Sequence, residues 1–223
     1  TELDFERFLK LDVSWQTSGP IWKADFFRRI GAWDESLVCG QDSELHLRAL
    51  SFHPHYRFFS EVDYAVRADN VTRGSLGLKG MTVEGQLSHA QSVVELCQAN
   101  GGKGLSTRQK SMAAGRLLYH AMRMMELPEE DGHEAAVHLW KHAREHCLIA
   151  LPTYLLGSLW IKKYKSFLGD IAAYLINHLE SDEFLLKNRA SIGTIPISCL
   201  EETPYDGRFH KQASFVSSQA TSQ

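Results

Sequence analysis

The sequence has no excess of basic residues, no closely spaced cysteines and no long apolar run. Its 24 lysines and arginines stand against 27 acidic residues, giving a net charge of −3, which argues against a nucleic-acid partner. The four cysteines form no C-x-x-C pair, so we expect reduced thiols in a cytosolic setting. No run reaches the ~18 apolar residues of a spanning helix. The acidic N-terminus lacks the apolar core of a signal peptide, and we therefore expect a cytoplasmic protein.

The sequence does contain enough apolar residues, 43%, to build a sizeable core. Apolar residues at helical spacing predict eight helices, at 4–11, 23–30, 41–52, 81–99, 106–126, 133–147, 150–164 and 167–180. Aromatic and β-branched residues predict three strands, at 13–22, 56–60 and 64–67. We therefore expect a mostly helical chain with three parts: an α/β part at 1–78, an all-α region at 79–190 and a partly disordered tail at 191–223.

One stretch, residues 31–50, combines a glycine-led turn with an acidic helix start. Asp42 and Glu44 fall in the first turn of the helix predicted at 41–52. A carboxylate there faces unpaired backbone N–H groups and the positive end of the helix dipole, so it stays ionised easily. This placement suits a general base at a helix tip, and it also suits an ordinary helix start, which physical chemistry alone favours.

Three neighbouring segments resemble those of family 2 glycosyltransferases. Residues 15–22, WQTSGPIW, and 26–37, FFRRIGAWDESL, are similar to the family's strand, helix and Gly-Gly-Phe-Asp-Glu-like turn. Residues 41–50, QDSELHLRAL, resemble its Glu-Asp-x-Glu-Leu-x-Leu-Arg-Ala element. The two later predicted strands resemble those that lead to the family's Arg-x-His loop. The resemblance extends over about residues 13–76, roughly a third of the chain.

The resemblance implies a partial GT-A fold and inverting transfer of a sugar from a nucleotide-sugar donor. The acceptor would be a glycan, a lipid-linked molecule or another hydroxyl compound. Asp42 occupies the place of the base that takes the proton of the acceptor hydroxyl, a task that suits a carboxylate. The resemblance also implies a set of substrate-binding residues: Trp15, Thr17, Ser18, Gly19, Trp22, Gln41, Glu44, Arg48 and Arg67.

Several of these roles have a structural alternative. Glu44 and Arg48 could orient the acceptor or brace Asp42. Trp15 and Trp22 could offer ring faces to a sugar or pack in the core, and for Trp33 we expect core packing.

Three departures from the family pattern shape the expectation. The chain contains no Asp-x-Asp metal motif, Gln41 replaces the usual glutamate, and Arg67-Ala68-Asp69 replaces Arg-x-His. Only fourteen residues precede Trp15, where the family has its nucleotide-binding unit. We therefore expect the acceptor half of a larger transferase, inactive by itself. Its Mn²⁺ or Mg²⁺ would bind mostly outside this chain, with Asp69 as a local candidate ligand.

The alternative function is a catalytically inactive remnant with a helical domain that binds a protein or a membrane. Residues 148–161, followed by Lys162, Lys163 and Lys165, fit a helix on the inner membrane surface or a buried helix with a cationic last turn. A histidine set four residues apart fits a divalent metal site or, alternatively, a polar helix face: His138, His142 and His146.

Overall fold

The computed structural model describes residues 2–12, 14–15, 17–59, 80–98, 104–146 and 149–179. Within these ranges every regular element is an α-helix. The helices in chain order are α1 (Glu2–Leu9), α2 (Ala24–Arg29), α3 (Gln41–Ser51), α4 (Val83–Gln98), α5 (Thr107–Glu126), α6 (Gly132–His146), α7 (Leu151–Lys162) and α8 (Phe167–Leu179). The eight predicted helices are confirmed, with ends that differ by about two residues at most.

The predicted α/β class is wrong for the part of the chain that the structure describes, because no strand occurs there. Residues 17–23 form a turn followed by irregular backbone, and residues 53–59 are also irregular. Aromatic and β-branched residues favour a strand, but a strand forms only where a second strand receives its backbone hydrogen bonds. The predicted strand at 64–67 lies outside the described residues, as does the predicted tail at 191–223.

Local signals explain where several helices begin. Ser106 caps α5 in a reciprocal arrangement with Gln109, in which each side chain accepts a hydrogen bond from the other residue's backbone N–H. Pro152 lies in the first turn of α7, where a missing N–H costs nothing. Gly40 precedes α3 with a φ of 81°, a left-handed conformation that favours glycine.

Helix α5 lies at the centre of the molecule. It packs against α1, α4, α6 and α7, and α8 packs against α7. Its apolar residues are almost completely buried, as Leu117 and Leu118 illustrate. One continuous core joins these residues to Phe8 of α1, Leu47 of α3 and Ile176 of α8. Helices from both sides of residue 79 therefore share this core, while the proposed domain boundary itself stays a prediction.

A smaller apolar cluster fixes α2 against α3. It contains Ile30, Leu45 and Ala49, with Phe26 and Trp22 packed beside them. The N-terminal end of α3 thus rests on two apolar supports, the central core and this cluster. None of the described helices combines the length and apolarity that crossing a lipid bilayer requires.

Candidate functional site

The first turn of α3 holds Asp42 beside the turn at residues 17–19. One carboxylate oxygen of Asp42, Oδ2, accepts a hydrogen bond from the Thr17 hydroxyl at 2.7 Å. The other, Oδ1, accepts one from the backbone N–H of Ser43 at 2.8 Å. Asp42 is half-buried, whereas Thr17, Ser18 and Gly19 are exposed. The structure therefore brings together two segments that the sequence separates by 25 positions, and it leaves their common edge open to solvent.

Close packing behind Gly40 sets the position of this turn. A Cβ atom at Gly40 would lie 2.4 Å from Nδ1 of His89 on α4, in addition to the strain of its left-handed backbone. Only glycine fits both requirements. Gln41, the next residue, donates from Nε2 to the carbonyl of Leu37 at 2.7 Å. These contacts fix the loop that leads into Asp42.

Glu44 and Arg48 form an ion pair along α3. Arg48 Nε donates to Glu44 Oε1 at 2.5 Å, and Arg48 Nη2 donates to Glu44 Oε2 at 2.8 Å. The same guanidinium donates to the carbonyls of Ile30 and Ala32, with 2.6 Å to the latter. The hydrogen bond that Arg48 donates to Glu44 is the main cause that raises the pKa of Arg48.

This geometry favours the bracing role over direct acceptor binding. Both carboxylate oxygens of Glu44 are occupied by Arg48, and Arg48 in turn holds the turn that follows α2. A guanidinium that satisfies two carbonyls and a carboxylate at once makes a rigid connection, because its donors have a fixed planar geometry. The pair therefore fixes the start of α3 relative to α2.

The tryptophans take part in an aromatic cluster centred on His46. The Trp15 ring meets Phe8 and His46 edge-on, at centroid distances of 5.1 and 5.7 Å. The Trp22 ring stacks on His46 at 5.9 Å. This packing favours the core alternative for Trp15 and Trp22. Trp33, for which we expected core packing, is 39% exposed.

His46 itself is buried on the inner side of α3, and within the described part of the chain its Nε2 atom has no hydrogen-bond partner. Burial lowers its pKa to about 4, against an opposing effect of the negative charge on Asp42. The imidazole is therefore neutral near pH 7. The sequence pattern did not identify this residue. A polar residue within the apolar stripe of a helix gives no local sign of whether its side chain is buried.

A second unpredicted residue, Arg116 of α5, lies fully buried behind Asp42. Its guanidinium donates to the carbonyl of Phe8 at 3.0 Å and to the hydroxyl of Ser43 at 3.1 Å. Burial lowers the pKa of Arg116 to about 10, and attraction to Asp42 opposes that shift. A cation on the helical region thus reaches the residue next to the candidate base. The sequence feature that could have identified Arg116 is its position as the one charged residue in a run of small and apolar residues, Met112 to Leu118.

Arg116 also affects two histidines, His120, which is buried, and His89, which is half-buried. Burial is the main cause that lowers the pKa of His89 and of His120, and the charge of Arg116 adds to the effect in both cases. Their rings stack at 5.7 Å, and His120 Nδ1 contacts Gln86 Oε1 at 2.8 Å. The interior behind Asp42 is therefore polar, with one cation and neutral imidazoles.

The described residues offer no metal site at Asp42. Among them, the one group of three potential ligands is His142, Glu145 and His146 on α6, which does not include Asp42. Arg67 and Asp69 lie outside the described residues. The polar-face alternative suits the α6 histidines, because Glu145 is exposed and His142 Nε2 also approaches Gln98 Nε2 at 3.4 Å. The residues around Asp42 thus do not by themselves fit the expected Mn²⁺ or Mg²⁺.

Comparisons of this chain with protein-family models, with curated proteins and with solved structures find no significant match.

Proposed function

We propose that this chain is part of an inverting glycosyltransferase in which Asp42 is the general base. The observation that supports the proposal is the hydrogen bond between Thr17 and Asp42. It joins the turn at residues 17–19, which the resemblance implies to be substrate-binding, to the segment that resembles the base, at an edge accessible to solvent. The proposal concerns this carboxylate and its surroundings, and the α/β arrangement expected from the sequence is no part of it.

In the proposed reaction, the acceptor oxygen attacks the anomeric carbon while Asp42 removes its proton. The new C–O bond forms as the bond to the nucleoside diphosphate breaks, so the configuration at the anomeric carbon inverts. The Thr17 hydroxyl donates to one oxygen of Asp42 and the Ser43 N–H to the other, which fixes the carboxylate plane. An oriented carboxylate needs little rearrangement when it accepts a proton, and fixed orientation is a large part of what catalytic groups contribute.

The remaining parts of the reaction belong to residues beyond those described here. A nucleotide-sugar donor requires a diphosphate site, and the described residues around Asp42 supply no set of metal ligands for it. When bound in the complete enzyme, Mn²⁺ or Mg²⁺ would neutralise the diphosphate leaving group. Glu44 and Arg48 would act as positioning residues, since their charged atoms bond to each other and to the turn that follows α2.

Replacing Asp42 by asparagine in the full-length natural protein tests the proposal. Asparagine keeps an oxygen that can accept from Thr17, but it cannot accept the proton of the acceptor. We expect a loss of transfer of about 10²–10⁴-fold. Transfer is measured as the release of nucleoside diphosphate from a panel of nucleotide sugars. A cell extract of glycans and lipids supplies the acceptors. Nucleotide binding by calorimetry should change little.

The matched control is Asp25→Asn, which removes an exposed carboxylate that pairs with Arg28 on α2. It should retain full transfer. Equal turnover of the Asp42→Asn variant and the unmodified protein would refute the role of Asp42. Nucleotide binding with no transfer in either protein would instead favour the inactive remnant.

A further inference from the structure

Helix α7 has an apolar surface on both of its sides. Gly157, Trp160 and Ile161 face inward and are buried, and Gly157 packs directly on the ring of Trp140. On the outer side, three leucines four residues apart form a stripe that remains exposed: Leu151, Leu155 and Leu159. Leu155 retains 57% of its surface in solvent. The alternative of a buried helix therefore holds for one side only.

Helix α8 repeats this arrangement. Ala172 and Ile176 are completely buried against the rest of the chain. Its outer side carries five exposed apolar or aromatic residues that recur at helical spacing: Phe167, Leu168, Ile171, Tyr174 and Leu175. Phe167, the first residue of the helix, is 77% exposed. Consecutive helices with exposed apolar stripes mark an interaction surface, because isolated exposed apolar residues are common but grouped ones are not.

A cationic turn joins the two helices. Lys162, Lys163 and Lys165 are exposed, and none of them pairs with a carboxylate among the described residues. Asp170 is the acidic residue in the first turn of α8. Three lysines within four positions are a strong local concentration of positive charge for a chain whose net charge is −3.

The turn is held in place by Tyr164 and Gly169, while the lysines stay exposed; the amine of Lys165 lies over the Tyr164 ring, 5.4 Å from its centroid. The hydroxyl of Tyr164, which is half-buried, donates to Glu126 at the end of α5 at 3.0 Å. Gly169 packs so closely on the turn that a Cβ atom there would lie 2.3 Å from the carbonyl oxygen of Lys163. The exposed lysines and Phe167 are therefore presented together on one fixed turn.

We propose that the outer surface of α7, α8 and their lysine turn binds the surface of an anionic phospholipid membrane. Lysines attract the phosphate groups of anionic lipids, while leucine and phenylalanine side chains enter the boundary between headgroups and acyl chains. A protein partner would require only the apolar stripes. The lysine turn beside them, with no acidic partner in the described residues, is what favours a phospholipid surface. This surface is separate from Asp42, so its test does not depend on the proposed transferase activity.

Co-flotation of the full chain with lipid vesicles tests the proposal. We expect binding to vesicles of phosphatidylcholine with one quarter phosphatidylglycerol, and none to pure phosphatidylcholine. Replacing the three turn lysines by alanine should lower partitioning by roughly two orders of magnitude, since each lysine contributes a factor of about five. High salt should weaken binding of the unmodified chain, because ions screen the attraction.

The apolar part of the surface is tested by Phe167→Ser combined with Leu168→Ser, which should lower partitioning at least about tenfold. Both side chains are exposed, so the helical circular-dichroism signal should be unchanged. One control removes the same amount of charge elsewhere, by alanine at Lys23, Arg57 and Lys141. A second control, Ile21→Ser with Phe58→Ser, removes exposed apolar residues near α2 and α3. Both controls should bind like the unmodified chain.

Several outcomes would overturn the proposal. Absence of binding to anionic vesicles would refute the proposal. Equal binding to both vesicle types would contradict the role of the lysines. Sedimentation that shows a dimer, dissociated by the Phe167→Ser and Leu168→Ser changes, together with absence of vesicle binding, would assign the surface to a second copy of the chain.

Discussion

The buried imidazole of His46 should make the stability of the protein depend on pH. Its pKa is about 4 in the folded chain and close to 6.5 in an unfolded one. Because the folded value is the lower of the two, the unfolded state takes up the proton first as the pH falls. Stability is therefore retained above about pH 6.5 and is lost progressively as the pH falls towards 4.

The size of the effect follows from these two pKa values. At pH 7.0 about a quarter of unfolded molecules carry a proton on His46, and at pH 5.5 about nine-tenths do, while the folded form stays almost fully neutral. Integrated over this interval, His46 alone removes about 1.2 kcal/mol from the free energy of unfolding. His89 and His120 also have lowered pKa values, so the unmodified chain should lose more than this amount in total.

The variant His46→Phe isolates the contribution of one ring. Phenylalanine keeps the aromatic contacts with Phe8, Trp15 and Trp22 and cannot be protonated. Urea unfolding at pH 7.0 and 5.5 should show a loss about 1.2 kcal/mol smaller in the variant than in the unmodified chain. The packing cost of the substitution does not depend on pH, so it cancels when the loss between the two pH values is compared. Equal losses in both proteins would refute a buried, neutral His46.

Two further substitutions test packing and capping. Gly157→Ala would place a Cβ atom 2.6 Å from the Trp140 ring, so we expect a net loss of about 1–3 kcal/mol in urea unfolding. In the control Gly104→Ala, the added Cβ atom would have nothing within 4 Å, and stability should change by less than about 0.5 kcal/mol. Equal stabilities of the two alanine variants would contradict the close contact of Gly157 with Trp140. Ser106→Ala removes the cap of α5 and should cost about 1 kcal/mol. Ser106→Asp should retain most of it, and an alanine variant with an unchanged thermal midpoint would show that the cap contributes nothing.

The helices could be predicted from the sequence because their signals are local. Ser106 followed by Gln109 marks the start of α5, and Gly31 follows the end of α2 within two residues. A strand also needs a partner strand, and a short stretch of sequence does not show whether one is present. Ile21 and Phe58 are residue types that favour strands. In the described structure, however, both are exposed and lie in irregular backbone that belongs to no β-ladder.

The candidate site was predictable in part for the same reason. Asp42 at the start of a helix is a local feature, and the resemblance identified the turn at 17–19 that the structure places beside it. The buried layer behind it was not predictable, because Arg116 and His46 are polar residues whose burial depends on which helices meet there. Arg116 contacts Phe8 and Ser43 from 108 and 73 positions away, and no local pattern specifies such a pairing.

These two long-range hydrogen bonds of Arg116 have a consequence for synthesis of the chain. A ribosome adding about 5–20 residues per second needs roughly 5–20 s to proceed from Phe8 to Arg116. During that time α1 and α3 exist without the central helix that covers their apolar sides. The apolar sides of α1 and of the helix that carries Asp42 therefore stay partly uncovered on the ribosome until α5 emerges.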